Sequence, residues 1–287
     1  MKKTVDEAVA QLDKALDELY DWCILNRLTP HPQKSEAMLI CKTRPMGPVA
    51  PIYIGTDAIE WVKKSRLLGI TVDDKLSWVP HMLDLKKTFA KKLDLIRRSR
   101  FLPKDVLINF YFKVIFPSVT YGLVLWGSCF NADLFDSLER LHCRAARIIF
   151  NLPKDMRSSD VLLQADWHSL SYCYKLVLLK LIHKAFHDEL PQVLSDNIVM
   201  KRPTGYSLRA SDSLTVPRFN SIYGKNSIAH RGSVLWNILI SNDKNFSSTS
   251  YKNLKKKIRS MDIFKELSFK ETSITTTNFR RKDFIYI

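Results

Sequence analysis

The hydrophobic pattern changes period near residue 80, and this change restricts the chain to a mixed α+β fold. From Pro80 onward, apolar residues recur at three- and four-residue steps, the spacing that places them on one face of a helix. Met82, Leu85, Phe89, Leu93 and Ile96 make one such stripe. Pro103 suits the first turn of a second helix reaching about Phe116. Asn131 is a plausible cap for a third, with apolar positions Leu134, Leu138, Leu141, Ala145 and Ile148. A strong helix covers roughly residues 170–187. Before Pro80 the pattern is different. Residues 5–26 read as an amphipathic helix with Val9, Leu12, Leu16, Leu19 and Cys23 on its stripe, stopped by Pro30 and Pro32. Four short apolar runs follow at 37–41, 52–54, 59–61 and 67–72, broken by Gly, Pro and charge. Their lengths and turn residues predict a small meander of strands. Residues 195–250 are polar with few periodic runs, a short basic helix begins at Tyr251, and the end of the chain is expected to be disordered.

Charge follows the same division. The net charge is +16, yet residues 1–79 are neutral and residues 151–200 carry −1. The excess lies in residues 80–150, at +6, and residues 201–287, at +11. Positive charge concentrated in two segments favours a polyanionic partner; a chain kept soluble by lysine is the plainer alternative.

Other classes find little support. The five cysteines (Cys23, Cys41, Cys129, Cys143, Cys173) are odd in number and form no CxxC pair, so they read as reduced, mostly buried thiols. The N-terminus lacks a signal-peptide apolar core, and the longest apolar stretch is too short and too broken to span a bilayer. An intracellular protein of nucleus or cytoplasm, with no membrane association, is expected. His183 and His187 have the i, i+4 spacing of a zinc pair but lack the intervening Glu and a third ligand, so no metal site is expected. Trp61, Trp78, Trp126, Trp167 and Trp236 read as packing residues. No Gly-rich phosphate loop and no Ser-His-Asp signature is present.

A family resemblance emerges from an ordered series of motifs. Trp22-Cys23-Ile24-Leu25-Asn26-Arg27-Leu28, followed by His31-Pro32-Gln33-Lys34-Ser35-Glu36-Ala37-Met38, resembles the segment after the catalytic hairpin in jockey-like non-LTR retrotransposon reverse transcriptases. Leu67-Leu68-Gly69-Ile70-Thr71-Val72-Asp73-Asp74-Lys75-Leu76-Ser77-Trp78, with His81, is similar to their Leu-Gly segment. Tyr111, Pro117, Tyr121, Trp126 and Gly127, then residues 141–149, Trp167, Pro191, Trp236-Asn237 and Tyr251-Lys252 continue the series in order. Pro32 and Ser35 depart from the family's usual residues.

The resemblance implies a palm remnant over 1–79, comprising motif D and the motif E primer grip. It further implies a helical thumb over 80–150, a helical and irregular C-terminal region over 151–260, and a disordered tail over 261–287. Lys34 matches the motif D lysine, which can donate a proton to the leaving pyrophosphate. Leu67, Leu68 and Gly69 would bring backbone to the primer end; a strand and its turn is the plainer reading.

Lys87, Lys91 and Arg98 on the first thumb helix would track a phosphate backbone of template–primer duplex, RNA or DNA. Arg140, Arg144 and Arg147 would do so on the third, and Lys255, Lys256 and Lys257 on the short basic helix after Tyr251. Solvated faces explain the same charges.

The complete polymerase needs Mg2+ held by three carboxylates, but these residues contain no Tyr/Phe-x-Asp-Asp hairpin. Asp73-Asp74 reads as an exposed turn. No cofactor is therefore expected on this chain, and no polymerase activity by it alone. The alternatives are a non-catalytic nucleic-acid-binding or scaffold protein derived from such an element, or a polymerase completed by another chain. Oligomeric state is not legible in the sequence.

Overall fold

A computed structural model describes residues 5–41, 47–128, 131–198, 212–243, 245–259 and 261. All of the expected tail except Met261, and also Cys129, lie outside the described residues. The fold is α+β. Two compact units divide between His81 and Met82, in the first turn of a helix.

The first unit opens with α1 (Val5–Leu25). A 3-10 turn over Pro32–Lys34 leads to β1 (Glu36–Ala37). Strands β2 (Ile52–Ile54) and β3 (Asp57–Trp61) form an antiparallel hairpin, and β1 lies parallel to β3 on its other side. The core consists of Val9, Ala37, Ile52, Ile54 and Ile59, flanked by Val5, Leu16, Tyr20, Val49 and Trp61.

The buried face of α1 differs from the expected stripe. Leu12 and Leu19 are exposed, Cys23 is half-buried, and Val5 and Tyr20 turn inward instead. At about 3.6 residues per turn, Ala8, Leu12, Ala15, Leu19 and Trp22 form a second apolar face beside the first, so sequence spacing alone merged the two.

The fourth expected strand is two strands. β4 (Lys64–Leu67) and β5 (Ile70–Asp73) pair antiparallel as a separate hairpin, with Leu67 opposite Ile70. Leu68 (φ 48°) and Gly69 (φ 84°) make its two-residue turn. Positive φ at both central positions matches the right-handed twist of the strands. Glycine adopts it freely, whereas a leucine in the left-handed region costs about 1–2 kcal/mol.

The second unit is helical. α2 (Val79–Arg98) carries Met82, Phe89, Leu93 and Ile96 into the core. α3 (Lys104–Phe110), a π-helical turn (Tyr111–Ile115) and α4 (Phe116–Thr120) run on as one element. The wide turn has a local cause. Pro117 has no N–H for the carbonyl four residues back and its ring crowds that carbonyl, and the chain widens so that Phe116 N–H reaches the Tyr111 carbonyl.

Then come α5 (Leu123–Trp126), α6 (Ala132–Phe150), α7 (Ser158–Gln164), α8 (Leu170–Phe186) and α9 (Gln192–Ile198). α10 (Ile222–Lys225), α11 (Ile228–Asn242) and α12 (Tyr251–Arg259) complete the described elements. The Asn131 side chain caps α6 by accepting from Leu134 N–H at 3.1 Å. α11 is a full helix inside a stretch expected to be largely irregular. Its polar residues are interleaved, but Ser227 caps it, and Leu235, Trp236 and Leu239 are buried.

In the second unit several of the motif residues are packing residues, among them Tyr111, Trp126, Trp167 and Trp236. Tyr111 stacks on Trp167 with ring centroids 4.7 Å apart and planes 6° from parallel. The Trp126 indole donates to the Tyr121 carbonyl at 2.8 Å. Trp236 donates to the Asp212 carbonyl, and the Asn237 amide bonds both backbone groups of Leu214 at 2.8 Å. Trp61 and Trp78 are half-buried.

A candidate nucleic-acid interface

The cations of α2 lie on one face for a geometric reason. Positions 82, 89, 93 and 96 point to the core, and positions 87, 91 and 98 fall on the opposite side of the same helix. Lys87, Lys91 and Arg98 are accordingly exposed and have no carboxylate partner among the described residues. Their neighbours are partly engaged. Lys92 donates to the Ser118 hydroxyl at 2.7 Å, and Arg97 approaches Asp94 at 3.8 Å across a mostly exposed pair.

On α6 the same reasoning separates two roles. Arg140 and Arg144 are exposed opposite the buried Leu138, His142, Ala145 and Ile149. Arg147 is half-buried and donates to the Met156 carbonyl at 2.7 Å. It braces the loop after α6, so less of its guanidinium is left for a ligand.

α12 repeats this split. Leu254 and Ile258 are buried, and Lys252, Lys255, Lys256 and Arg259 are exposed. Lys257 instead pairs with Asp243 at 2.8 Å and donates to the Asn245 carbonyl at 2.9 Å. The hydrogen bond from Lys257 to Asp243 holds that carboxyl below its ordinary value. Three consecutive lysines thus do two jobs, which a count of charges cannot reveal.

In the first unit, Lys34 is exposed at the end of the 3-10 turn, where Ser35 N–H donates to the Pro32 carbonyl. Leu67 and Leu68 are 66% and 82% exposed. With Gly69 they form an apolar hairpin tip that presents side chains and turn backbone outward.

Asp73 corrects an expectation. It is buried rather than exposed, accepting from Ser77 N–H at 3.1 Å, Ser77 Oγ at 2.8 Å and Trp78 N–H at 2.9 Å. Its carboxylate braces the turn into α2. With both oxygens engaged and no group of three His, Cys, Asp or Glu side chains gathered among the described residues, the residues present do not fit a two-metal site.

His183 on α8 and His187 just past its end both reach backbone carbonyls. His183 and His187 bond the Thr249 and Ser247 carbonyls at 2.7 and 2.9 Å, tying down the turn before α12. The thiols are less hidden than expected. Cys143 is buried, but Cys23, Cys41 and Cys173 are half-buried, and all four are free. No described helix is long and apolar enough to cross a membrane.

Sequence reasoning missed a buried polar chain in the second unit. The Tyr111 hydroxyl meets His142 Nδ1 at 2.5 Å, and His142 Nε2 meets the His168 carbonyl at 2.9 Å. A carbonyl only accepts, so Nε2 carries the proton and Nδ1 accepts from the tyrosine. Burial pushes the His142 pKa down to about 4, against the opposing pull of the His168 carbonyl. Glu139 accepts from Leu170 N–H at 2.9 Å, at the start of α8. Burial nevertheless raises its carboxyl to about 7.

A helical unit with outward cationic stripes, preceded by a small sheet and an apolar hairpin tip, is the context in which relatives can be weighed. The chain is similar to RNA-directed DNA polymerases of two mobile elements, the class its ordered motifs resemble. It is 25% identical over 171 residues, 58% of its length, to the probable RNA-directed DNA polymerase from transposon BS of Drosophila melanogaster. It is 28% identical over 100 residues, 33% of its length, to the RNA-directed DNA polymerase from mobile element jockey of the same organism. The matched stretches span only 18% and 11% of those two proteins. No protein-family model and no solved structure matches the chain.

Proposed function

We propose that this chain is the motif D, motif E, thumb and C-terminal part of a jockey-like non-LTR reverse transcriptase, and that it holds template–primer duplex or RNA. The observation carrying this reading is the outward stripe of Lys87, Lys91 and Arg98, opposite the buried face of α2 and without carboxylate partners among the described residues. Arg140 and Arg144 on α6 and the exposed cations of α12 extend it. Such contacts follow the phosphate backbone and carry no base information. Residues 1–79 would be the palm remnant and 80–150 the thumb.

In this reading Lys34 would stand near the nucleotide phosphates of a complete polymerase, and the tip formed by Leu67, Leu68 and Gly69 would meet the primer end. Mg2+ chemistry would belong to carboxylates elsewhere in the polymerase, because Asp73 is committed to its own turn. The chain alone would then bind but not polymerise. The test pairs two assays on the purified chain: binding of a fluorescent RNA–DNA hybrid, and primer extension on an RNA template with magnesium. Binding without extension is the expected result. Extension overturns catalytic incompleteness, and no binding at low salt overturns the interface.

A further inference from the structure

α12 runs antiparallel along α8. Tyr251 lies beside Lys180 and Lys184, the charge of Lys255 reaches Lys180 and Cys173, and Arg259 lies near Tyr172. Read in order, α12 positions 251, 255 and 259 meet progressively earlier positions of α8. The two helices are clamped at one end by His183 and His187 on the turn before α12, and α12 buries Leu254 and Ile258.

This clamp places like charges together. The Lys184 and Lys180 ammonium groups lie 4.8 and 5.8 Å from the centre of the Tyr251 ring. Burial, with the charges of Lys255 and Lys184, holds the Lys180 pKa below its ordinary value. On the other flank of α12, Lys257 has its own carboxylate, Asp243. On the α8 flank Lys180, Lys184, Lys255 and Arg259 have no carboxylate among the described residues. Repulsion between these cations raises the free energy of the bare protein, and a polyanion along the seam would relieve it.

We propose that the seam between α8 and α12 is a phosphodiester-binding site for a single strand of RNA. Lys180, Lys184 and Lys255 form its floor, with Arg259 at one end. The proposal rests on the nucleic-acid reading above and adds Lys180, Lys184 and Tyr251, which lie outside the stripes of α2 and α6. The Tyr251 ring acts as the wall that holds Lys180 and Lys184 by cation–π contact, keeping the two ammonium groups near each other before a ligand arrives. A single strand suits the seam because successive phosphates can follow the line of cations along one helix pair.

The test uses the full chain and a fluorescein-labelled 20-nucleotide RNA of mixed sequence. First, surface lysines are acetylated with and without RNA, and modification is read by mass spectrometry. Lys180, Lys184 and Lys255 should be protected. Second, the variant K180Q/K184Q/K255Q, checked for an unchanged melting temperature, is titrated across salt. Three lost contacts should flatten the slope of log affinity against log salt by about 2, a loss of about 100-fold near 0.1 M salt.

Binding of RNA by the wild-type chain with these lysines unprotected overturns the seam while leaving the wider interface standing. Failure to bind this RNA while the RNA–DNA hybrid still binds overturns the seam alone, and failure to bind either overturns both. Binding to phosphatidylserine-containing vesicles, with RNA unable to compete, assigns the seam to a lipid surface and overturns the proposal.

Discussion

The Tyr111 hydroxyl offers a sharp test of the packing in the helical unit. Tyr111 is fully buried, and its ring is stacked on Trp167. Tyr111→Phe keeps the ring and its stacking, and removes only the donor that meets His142 Nδ1 at 2.5 Å. His142 is also fully buried, and its other nitrogen is already engaged by the His168 carbonyl. The ring cannot flip to recover a partner without losing that bond.

The expected cost is that of a buried acceptor left without a donor, about 1–3 kcal/mol. For a unit of this size each kcal/mol lowers the melting temperature by about 2–4 °C, so a fall of about 2–12 °C follows. Circular dichroism melts at pH 7.5 measure it. His142→Leu in the Tyr111→Phe background should recover part of the loss, because replacing both polar partners removes the unsatisfied group. A Tyr111→Phe melt within 1 °C of wild type would refute the reasoning.

Two further outcomes follow from other parts of the chain. Glu139 has a carboxyl raised to about 7 in the fold, so its protonated form contributes stability below the unfolded value near 4.5, and that contribution is lost as pH rises through 7. His142, lowered to about 4, has the opposite sign. Its contribution is present above about 6.5 and lost as pH falls through 4. Urea titrations should show stability declining from pH 6 to 8 in wild type and staying flatter in Glu139→Gln; parallel curves would exclude Glu139 as the source. At the hairpin tip, Leu68→Asn should stabilise the first unit by about 1 kcal/mol, because asparagine tolerates left-handed backbone. Hydrogen exchange of the β4–β5 amides would report it, and faster exchange would contradict the turn geometry.

What could be read in advance divides along physical lines. α2 and α6 were legible because each has one apolar stripe, and α6 a side-chain cap, both local in sequence. α1 misled because Leu12 and Leu19 continue its stripe in sequence yet face away from the sheet that covers Val9. The β4–β5 hairpin looked like one run because β4, Lys64-Ser65-Arg66-Leu67, is polar and largely exposed, so only its last residue joined the apolar run. α11 was hidden because its burial depends on partners distant in sequence, such as Leu214 and Ile182.

The candidate site was legible as charge but not as geometry. Composition marked the basic segments. It could not tell exposed Lys255 from Lys257 on Asp243, or Arg144 from Arg147 on Met156. Nor could it bring Lys180 and Lys184, in a segment of net negative charge, beside Tyr251.

The most direct test of the central claim is the salt dependence of binding to an RNA–DNA hybrid, comparing wild type with the triple variant K87Q/K91Q/R98Q. All three side chains are exposed on α2, so the variant should fold and melt as wild type does. If these cations neutralise phosphates, log affinity falls linearly with log salt, and the variant's slope is shallower by about 2–3. Identical slopes, or wild-type binding that does not respond to salt, would contradict the claim that this face meets nucleic acid.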